Sequence, residues 1–311
     1  MPKLRRIAAV LLLSAFAAHA APLPRERVDA VADAIAANYF DPARAKDIAD
    51  DLRREAATGT FDALAPQGLA DALTTRLRPL DRHFRVRFDG VGTADQAPAS
   101  GTRRPPPPAN HGIAVVETLP GDIGHLRLSQ FAHFEPDDAD APERIAIDAA
   151  LAKLSGTRAM IVDLRGCRGG SPSMVGYLAS AFVAPGSDIY NTFRTRGVSL
   201  SEAPARPYAT PRTQVPLYVL VDGGTASAAE SFAYTLRSAG RAIVVGERSA
   251  GAANPGAMID IGEGFSVFVS DGTPVNPITH ANWEATGIAP DVAVASKDAL
   301  ETASRLARAT R

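Results

Sequence analysis

Val215-Pro216-Leu217-Tyr218-Val219-Leu220-Val221-Asp222-Gly223-Gly224-Thr225-Ala226-Ser227-Ala228-Ala229-Glu230 reads as an apolar strand, a tight glycine turn and the start of a helix, with a serine at the junction. The first N–H groups of a helix have no partner inside it and lie at the positive end of its dipole. Ser227 therefore carries its hydroxyl beside a place that favours negative charge. Attack on a carbonyl needs both features, a nucleophile and donors for the oxyanion it creates. Ser227-x-x-Glu230 also spells a capping box, in which the serine only holds the helix end and Glu230 reaches back. Thr225 is available as the cap instead, which would leave Ser227 free.

Outward from this unit the chain keeps alternating strand and helix. Gly112 to Leu119 and Ile123 to Phe131 read as a hairpin, followed by a helix from Pro142, a strand over Arg158 to Leu164 and a helix over Pro172 to Phe182. After Ser227 come a strand over Arg241 to Gly246, a hairpin over 257–270 and a terminal helix over Lys297 to Ala309. Repeated strand, turn and helix units predict an α/β fold with helices packed on a sheet. Upstream, Val28, Val31, Ile35, Tyr39, Ile48, Leu52, Leu64, Leu69, Leu73 and Leu77 recur at helical steps, broken at Asp41-Pro42 and Pro66-Gln67-Gly68. The expected division is a leader over 1–20, a small N-terminal helical domain over 21–84, a Pro-rich linker over 85–111 containing Pro105 to Pro108, and the α/β domain over 112–311.

Lys3, Arg5 and Arg6 before the apolar run Ile7 to Ala18, then Ala18-His19-Ala20, have the layout of a secretory signal peptide. That run is too short to span a bilayer, so the expectation is an exported protein, periplasmic or secreted, without a membrane anchor. Removal of the leader takes the formal charge from −1 to −4, which speaks against a nucleic-acid partner. Cys167 stands alone, so no disulfide framework is expected, and the histidines do not fall at metal-ligand spacing, so no metal or other cofactor is expected.

Two further stretches carry chemistry. Asp163-Leu164-Arg165-Gly166-Cys167-Arg168-Gly169-Gly170-Ser171-Pro172 ends in a well-specified helix start, with Ser171 as N-cap and Pro172 at the first helical position. Paired glycines there can expose N–H groups to an oxyanion, and a purely structural tight turn explains them as well. The spacing fits neither a dinucleotide fingerprint nor a P-loop. Asn282-Trp283-Glu284-Ala285-Thr286-Gly287-Ile288-Ala289-Pro290-Asp291 places an acid after the only tryptophan.

Together with Ala242-Ile243-Val244-Val245-Gly246 through Pro255, these motifs in this order resemble the tail-specific (C-terminal-processing) serine peptidases over roughly residues 112–295. The branch they resemble contains the tricorn core and the repeats of interphotoreceptor retinoid-binding protein. The resemblance implies a crotonase-like ββα superhelix. It also implies Ser227 as nucleophile, the N–H of Ala228 and of Gly169 or Gly170 as oxyanion donors, His83 as general base and Glu284 as the acid assisting it. Members with a serine/lysine dyad carry a lysine where this chain has Gly251-Ala252-Ala253, and the stretch between the helices and the core is too short for the PDZ domain such members commonly insert. His280 is the substitute base to test, whereas His111, His125 and His133 read as surface or structural. The expected function is an exported serine endopeptidase acting on peptide or protein, its pH profile rising at about 6 to 7 if a histidine is the base. The alternative is a carrier of retinoid or fatty acid on the same scaffold.

Overall fold

The computed structural model describes residues 24–90 and 109–310. The expected leader and most of the expected linker, 91–108, lie outside the described residues.

In chain order the elements are helices α1 (Pro24–Asn38), α2 (Pro42–Ala57) and α3 (Pro66–Leu77), then strand β1 (Arg85–Phe88), β2 (Ile113–Leu119), β3 (Ile123–Leu128), α4 (Pro142–Lys153), β4 (Ala159–Asp163) and α5 (Pro172–Ser180). There follow β5 (Thr192–Thr195), β6 (Ser199–Ser201), β7 (Leu217–Val221), α6 (Ala228–Ser238), β8 (Ile243–Gly246), β9 (Gly256–Gly262), β10 (Phe265–Ser270), β11 (Gly272–Val275), β12 (Val292–Ala293) and α7 (Ala299–Ala309). Proline opens α2, α3, α4 and α5, where its missing N–H has no partner to lose.

The main sheet has six strands in the order β12-β8-β7-β4-β3-β2, parallel except for the β2/β3 hairpin. Every residue of β4 and β7 is buried, as strands covered on both faces must be. Leu126, Met160, Val162, Val219 and Val221 pack under α4, α5 and α6, while Ile123, Ile161, Tyr218, Leu220 and Val245 pack under α7. The fold is thus α/β, with helices on both faces of a mixed sheet. The turns after β4 and β7 leave at the carboxyl ends of adjacent parallel strands, which brings the two glycine motifs together.

The N-terminal helices do not close a core by themselves. Val31, Ile35, Leu52, Leu73 and Leu77 pack with Phe84 and Val86 of the β1 region, and with Phe265, Val267 and Val269 of β10. Strand β1 pairs with β10, which pairs with β9. Arg85–Phe88, at the start of the expected linker, is therefore a strand, because three amphipathic helices leave an apolar face that a sheet from the far end of the chain covers. A third sheet, β11-β5-β6, has no counterpart in the sequence expectation.

Candidate active site

Ser227 sits at φ 54°, ψ −122°, a conformation that costs a non-glycine residue on the order of 1–3 kcal/mol. A capping serine has extended backbone instead. The Ser227 hydroxyl makes no capping hydrogen bond. The Ser227 N–H donates to Glu230 at 3.0 Å, the glutamate half of the box. Thr225 does not replace it as cap: its hydroxyl donates to the Leu164 carbonyl at 2.8 Å and accepts the Asp222 N–H at 2.9 Å, pinning the turn to the end of β4.

The two glycine turns are tied to each other. Asp222 Oδ1 accepts the N–H groups of Gly166 and Gly224, each at 2.9 Å, and the Ala226 N–H donates to the Cys167 carbonyl at 2.9 Å. Gly169 lies so close that a Cβ on it would stand 2.8 Å from the Ser227 Cβ and 2.9 Å from the Ala228 nitrogen. Behind the turn, Phe131 donates its N–H to the Gly169 carbonyl and accepts the Ser171 N–H, a parallel bridge centred on Gly170. In such a bridge the N–H of the central residue faces away from its partner. The N–H groups of Gly170 and Ala228 have no partner among the described residues.

Cys167 itself is buried, and burial pushes its thiol up to about 11. It is a structural acceptor for the turn rather than a reactive group.

His83 lies in the segment between α3 and β1. Its Nδ1 is 3.2 Å from Asp81 Oδ1 and 3.6 Å from Glu284 Oε1, and its backbone N–H also donates to Asp81 Oδ1. Asp81 is buried; its Oδ2 accepts the Asn254 amide at 3.1 Å. Glu284 Oε2 accepts the N–H groups of Ala253 and Asn254 at 2.8 and 3.1 Å. Burial works against charge on both members of the closer pair. Asp81 and Glu284 together outweigh it at the imidazole, raising it to about 9, and His83, Ser270 and Asn254 outweigh it at Asp81, held down at about 2.

Asp81, not Glu284, is thus the nearer carboxylate. The Asp-x-His spacing is its sequence signal, since an aspartate readily accepts from the backbone two residues on. The Nδ1 and two carboxylate oxygens lie within 4.8 Å of one another, a set able to ligate a divalent cation. The second oxygen of each acid is already bound to a donor, and Asp81 Oδ1 accepts a backbone N–H as well, so the arrangement suits a shared proton better than an ion.

Glu230 was legible only as a cap. It is fully buried and accepts four donors, the N–H groups of Ser227, Gly251 and Ala252 and the Ser249 hydroxyl, at 2.5–3.0 Å. Burial pushes its pKa up against those donors, all of which favour the carboxylate. Loop 249–254 consequently joins the two halves of the site: Glu230 grips its start beside Ser227, and Glu284 and Asp81 grip its end beside His83. Ser227 and His83 share no hydrogen bond among the described residues.

Trp283 is buried to 1% exposure against Tyr234 and supports the loop from below. His280 is exposed and stands apart from the cluster. His125 pairs with Glu117 and Asp163, and His111 lies by Glu143, so both belong to the scaffold.

The fold is α/β, with a strained serine at the junction of a parallel strand and a helix. Residues 122–294, more than half of the chain, match peptidase family S41, and the chain belongs to that family. A carboxyl-terminal-processing protease of Synechocystis sp. is 31% identical over 179 residues, covering 57% of this chain and 39% of the relative. A carboxy-terminal-processing protease of Bartonella bacilliformis is 29% identical over 182 residues, covering 58% and 41%. The chain spans about two fifths of the length of these curated relatives. In fold it is similar to a putative peptidase from Parabacteroides merdae (TM-score 0.64, 20% identity, 92% of this chain and 97% of that one). It is also similar to a photosystem II D1 C-terminal processing protease (TM-score 0.53, 18% identity, 91% and 97%). Among the described residues no helix is long and apolar enough to cross a membrane.

Proposed function

We propose that this chain is an exported serine endopeptidase in which Ser227 is the nucleophile and His83 the general base. The observation that carries the reading is the strained Ser227 backbone at the start of α6, packed against Gly169 of the facing glycine turn. Strain of this kind persists where the surrounding structure requires it, and here Asp222, Thr225 and Glu230 all hold it in place.

Ser227 Oγ bonds to the substrate carbonyl carbon as its proton passes to His83 Nε2, the ring nitrogen left open by the carboxylates at Nδ1. The oxyanion is met by the Gly170 and Ala228 N–H groups. Collapse breaks the C–N bond, and the same proton leaves with the amine. Water repeats the sequence in reverse, its proton taken by His83 and returned to Ser227 as the acid departs. Asp81 orients the ring and stabilises its charged form, and Glu284 acts from slightly farther away.

The reading is tested by labelling the mature protein with a fluorophosphonate and mapping the adduct. Modification of Ser227, abolished in Ser227→Ala with the melting temperature within a few degrees of wild type, is expected. An unlabelled Ser227 in folded protein overturns it. The carrier alternative draws on an apolar cavity of about 650 Å³ beside the site, a size that suits a small lipid. Retinol or fatty-acid binding without any Ser227-dependent hydrolysis of casein would favour it.

A further inference from the structure

The β5–β6 hairpin plays no part in the chemistry above, yet it forms one wall of that cavity. The opposite wall starts at Pro172 and Ser173, two and three positions after Gly170, and includes Pro255, next to the Asn254 that binds Asp81. The cavity thus lies next to residues that adjoin both halves of the site. Phe134, Tyr177, Phe193 and Leu200 give it an apolar lining. Two of the charged residues around it are already committed: Arg196 donates to the carbonyls of Ala36 and Tyr39, and buried Glu202 accepts from Ser231 and Asn191. Asp271 and Arg206, one of each sign, are exposed.

Strand β6 is the edge of its sheet. Its register on β5 pairs Phe193 with Leu200, and the flanking bonds run from Glu202 N–H to Asn191 and from Thr195 N–H to Val198. Residues 198, 200 and 202 therefore bond inward, and the N–H and C=O of Ser199 and Ser201 point outward, without partners among the described residues. Beside this open edge two large apolar side chains are exposed, Val198 at 59% and Leu200 at 57%. An uncapped edge with exposed apolar residues invites another strand.

We propose that β6 is the docking strand for the substrate: an extended, uncharged, apolar stretch of the polypeptide adds to its outer edge and places alternate side chains in the cavity. This rests on the peptidase reading of Ser227. The outward N–H and C=O groups of Ser199 and Ser201 are matched only by another backbone, which favours a peptide over a lipid. Side chains two apart on an extended chain fall on one face about 6.6 Å apart, so the cavity receives two of them. Substrates are accordingly recognised in unfolded or terminal segments, by main-chain pairing and apolar bulk.

The test uses internally quenched decapeptides on wild type and on Leu200→Asp, a surface change that leaves the core intact. Phe in place of Asp at two positions, i and i+2 on one side of the scissile bond, is expected to raise kcat/KM. N-methylation of alternate backbone nitrogens is expected to lower it about tenfold, consistent with loss of one hydrogen bond. Leu200→Asp should raise KM for the peptide at least several-fold with a much smaller change in kcat. Equal effects of N-methylation at every position, or an unchanged peptide KM in Leu200→Asp, would sink the proposal. Dissociation of a dimer by Leu200→Asp, seen by light scattering with the peptide KM unaltered, would assign the edge to a second copy and overturn it too. Retinol binding lost in Leu200→Asp with no peptide effect would assign the cavity to a lipid and do the same. If Ser227 is never labelled, the peptidase reading fails separately, and peptide binding measured by fluorescence anisotropy still reports on β6.

Discussion

An imidazole whose Nδ1 lies between Asp81 and Glu284 releases its second proton only near pH 9. At pH 7 roughly one molecule in a hundred then carries the neutral ring able to take the Ser227 proton. The activity limb should accordingly rise toward about pH 9, not at the 6 to 7 of an unperturbed histidine. A pH series of kcat/KM on wild type checks this, with loss of activity in His83→Gln assigning the limb to that residue. The same pair sets a stability window. A raised histidine pKa contributes stability that is complete below its unfolded value of about 6.5 and fades as the pH climbs through about 9. The lowered aspartate pKa contributes above its unfolded value of about 3.9 and is lost as the pH falls through about 2. The stability gap between wild type and His83→Gln, measured by denaturant unfolding, should hence be widest between pH 4 and 6.5, on the order of 2 kcal/mol, and close toward pH 9. Because Asp81 stands nearer the ring than Glu284, Asp81→Asn should lower kcat on the order of 10²-fold or more, and Glu284→Gln less. The reverse order would return the orienting role to Glu284.

At the scale of elements, the glycine turn before α5 is a close backbone join. Gly170 lies at φ 139°, and a Cβ there would collide with the Phe131 carbonyl. Gly170→Ala should therefore lower the melting temperature and abolish turnover together, whereas Ser171→Ala should cost about 1 kcal/mol from the lost cap; differential scanning fluorimetry with a peptide assay separates the two. Such turns were legible in sequence because glycine pairs and the helix-start Ser171-Pro172 are local signals, and the buried strands β4 and β7 because unbroken apolar runs are local too. Strands β5, β6 and β11 were not, being three or four residues of mixed polarity whose partners lie up to 83 positions away. Ser227, Ala228, His83 and Glu284 came from pattern. The weight of Asp81 and the fourfold grip of Glu230 did not, because each depends on contacts to loop 249–254 that no short motif encodes.

For the whole molecule, the shared core of α1–α3 with β10 means that the histidine-bearing segment unfolds together with strands from the far end of the chain. Val267 is wholly buried in that core, and Val267→Ala should cost on the order of 1–3 kcal/mol and lower the single transition of the entire protein rather than detach a helical subdomain. A two-step melt would refute this. A polypeptide of residues 21–90 alone should likewise stay largely unfolded by circular dichroism, since the strands that cover its apolar face are missing.

The pairing of β1 with β10 also fixes when the enzyme can first exist. About 180 residues separate Phe84 from Val267 along the chain, which at roughly 5–20 residues per second is a delay of about 10–40 s during synthesis. Until β10 has been made, the segment holding His83 has no sheet to settle on, and Ser227, made earlier, has no His83 positioned near it. With Ser227 and His83 in the roles proposed, the chain stays inert until it is complete through β10.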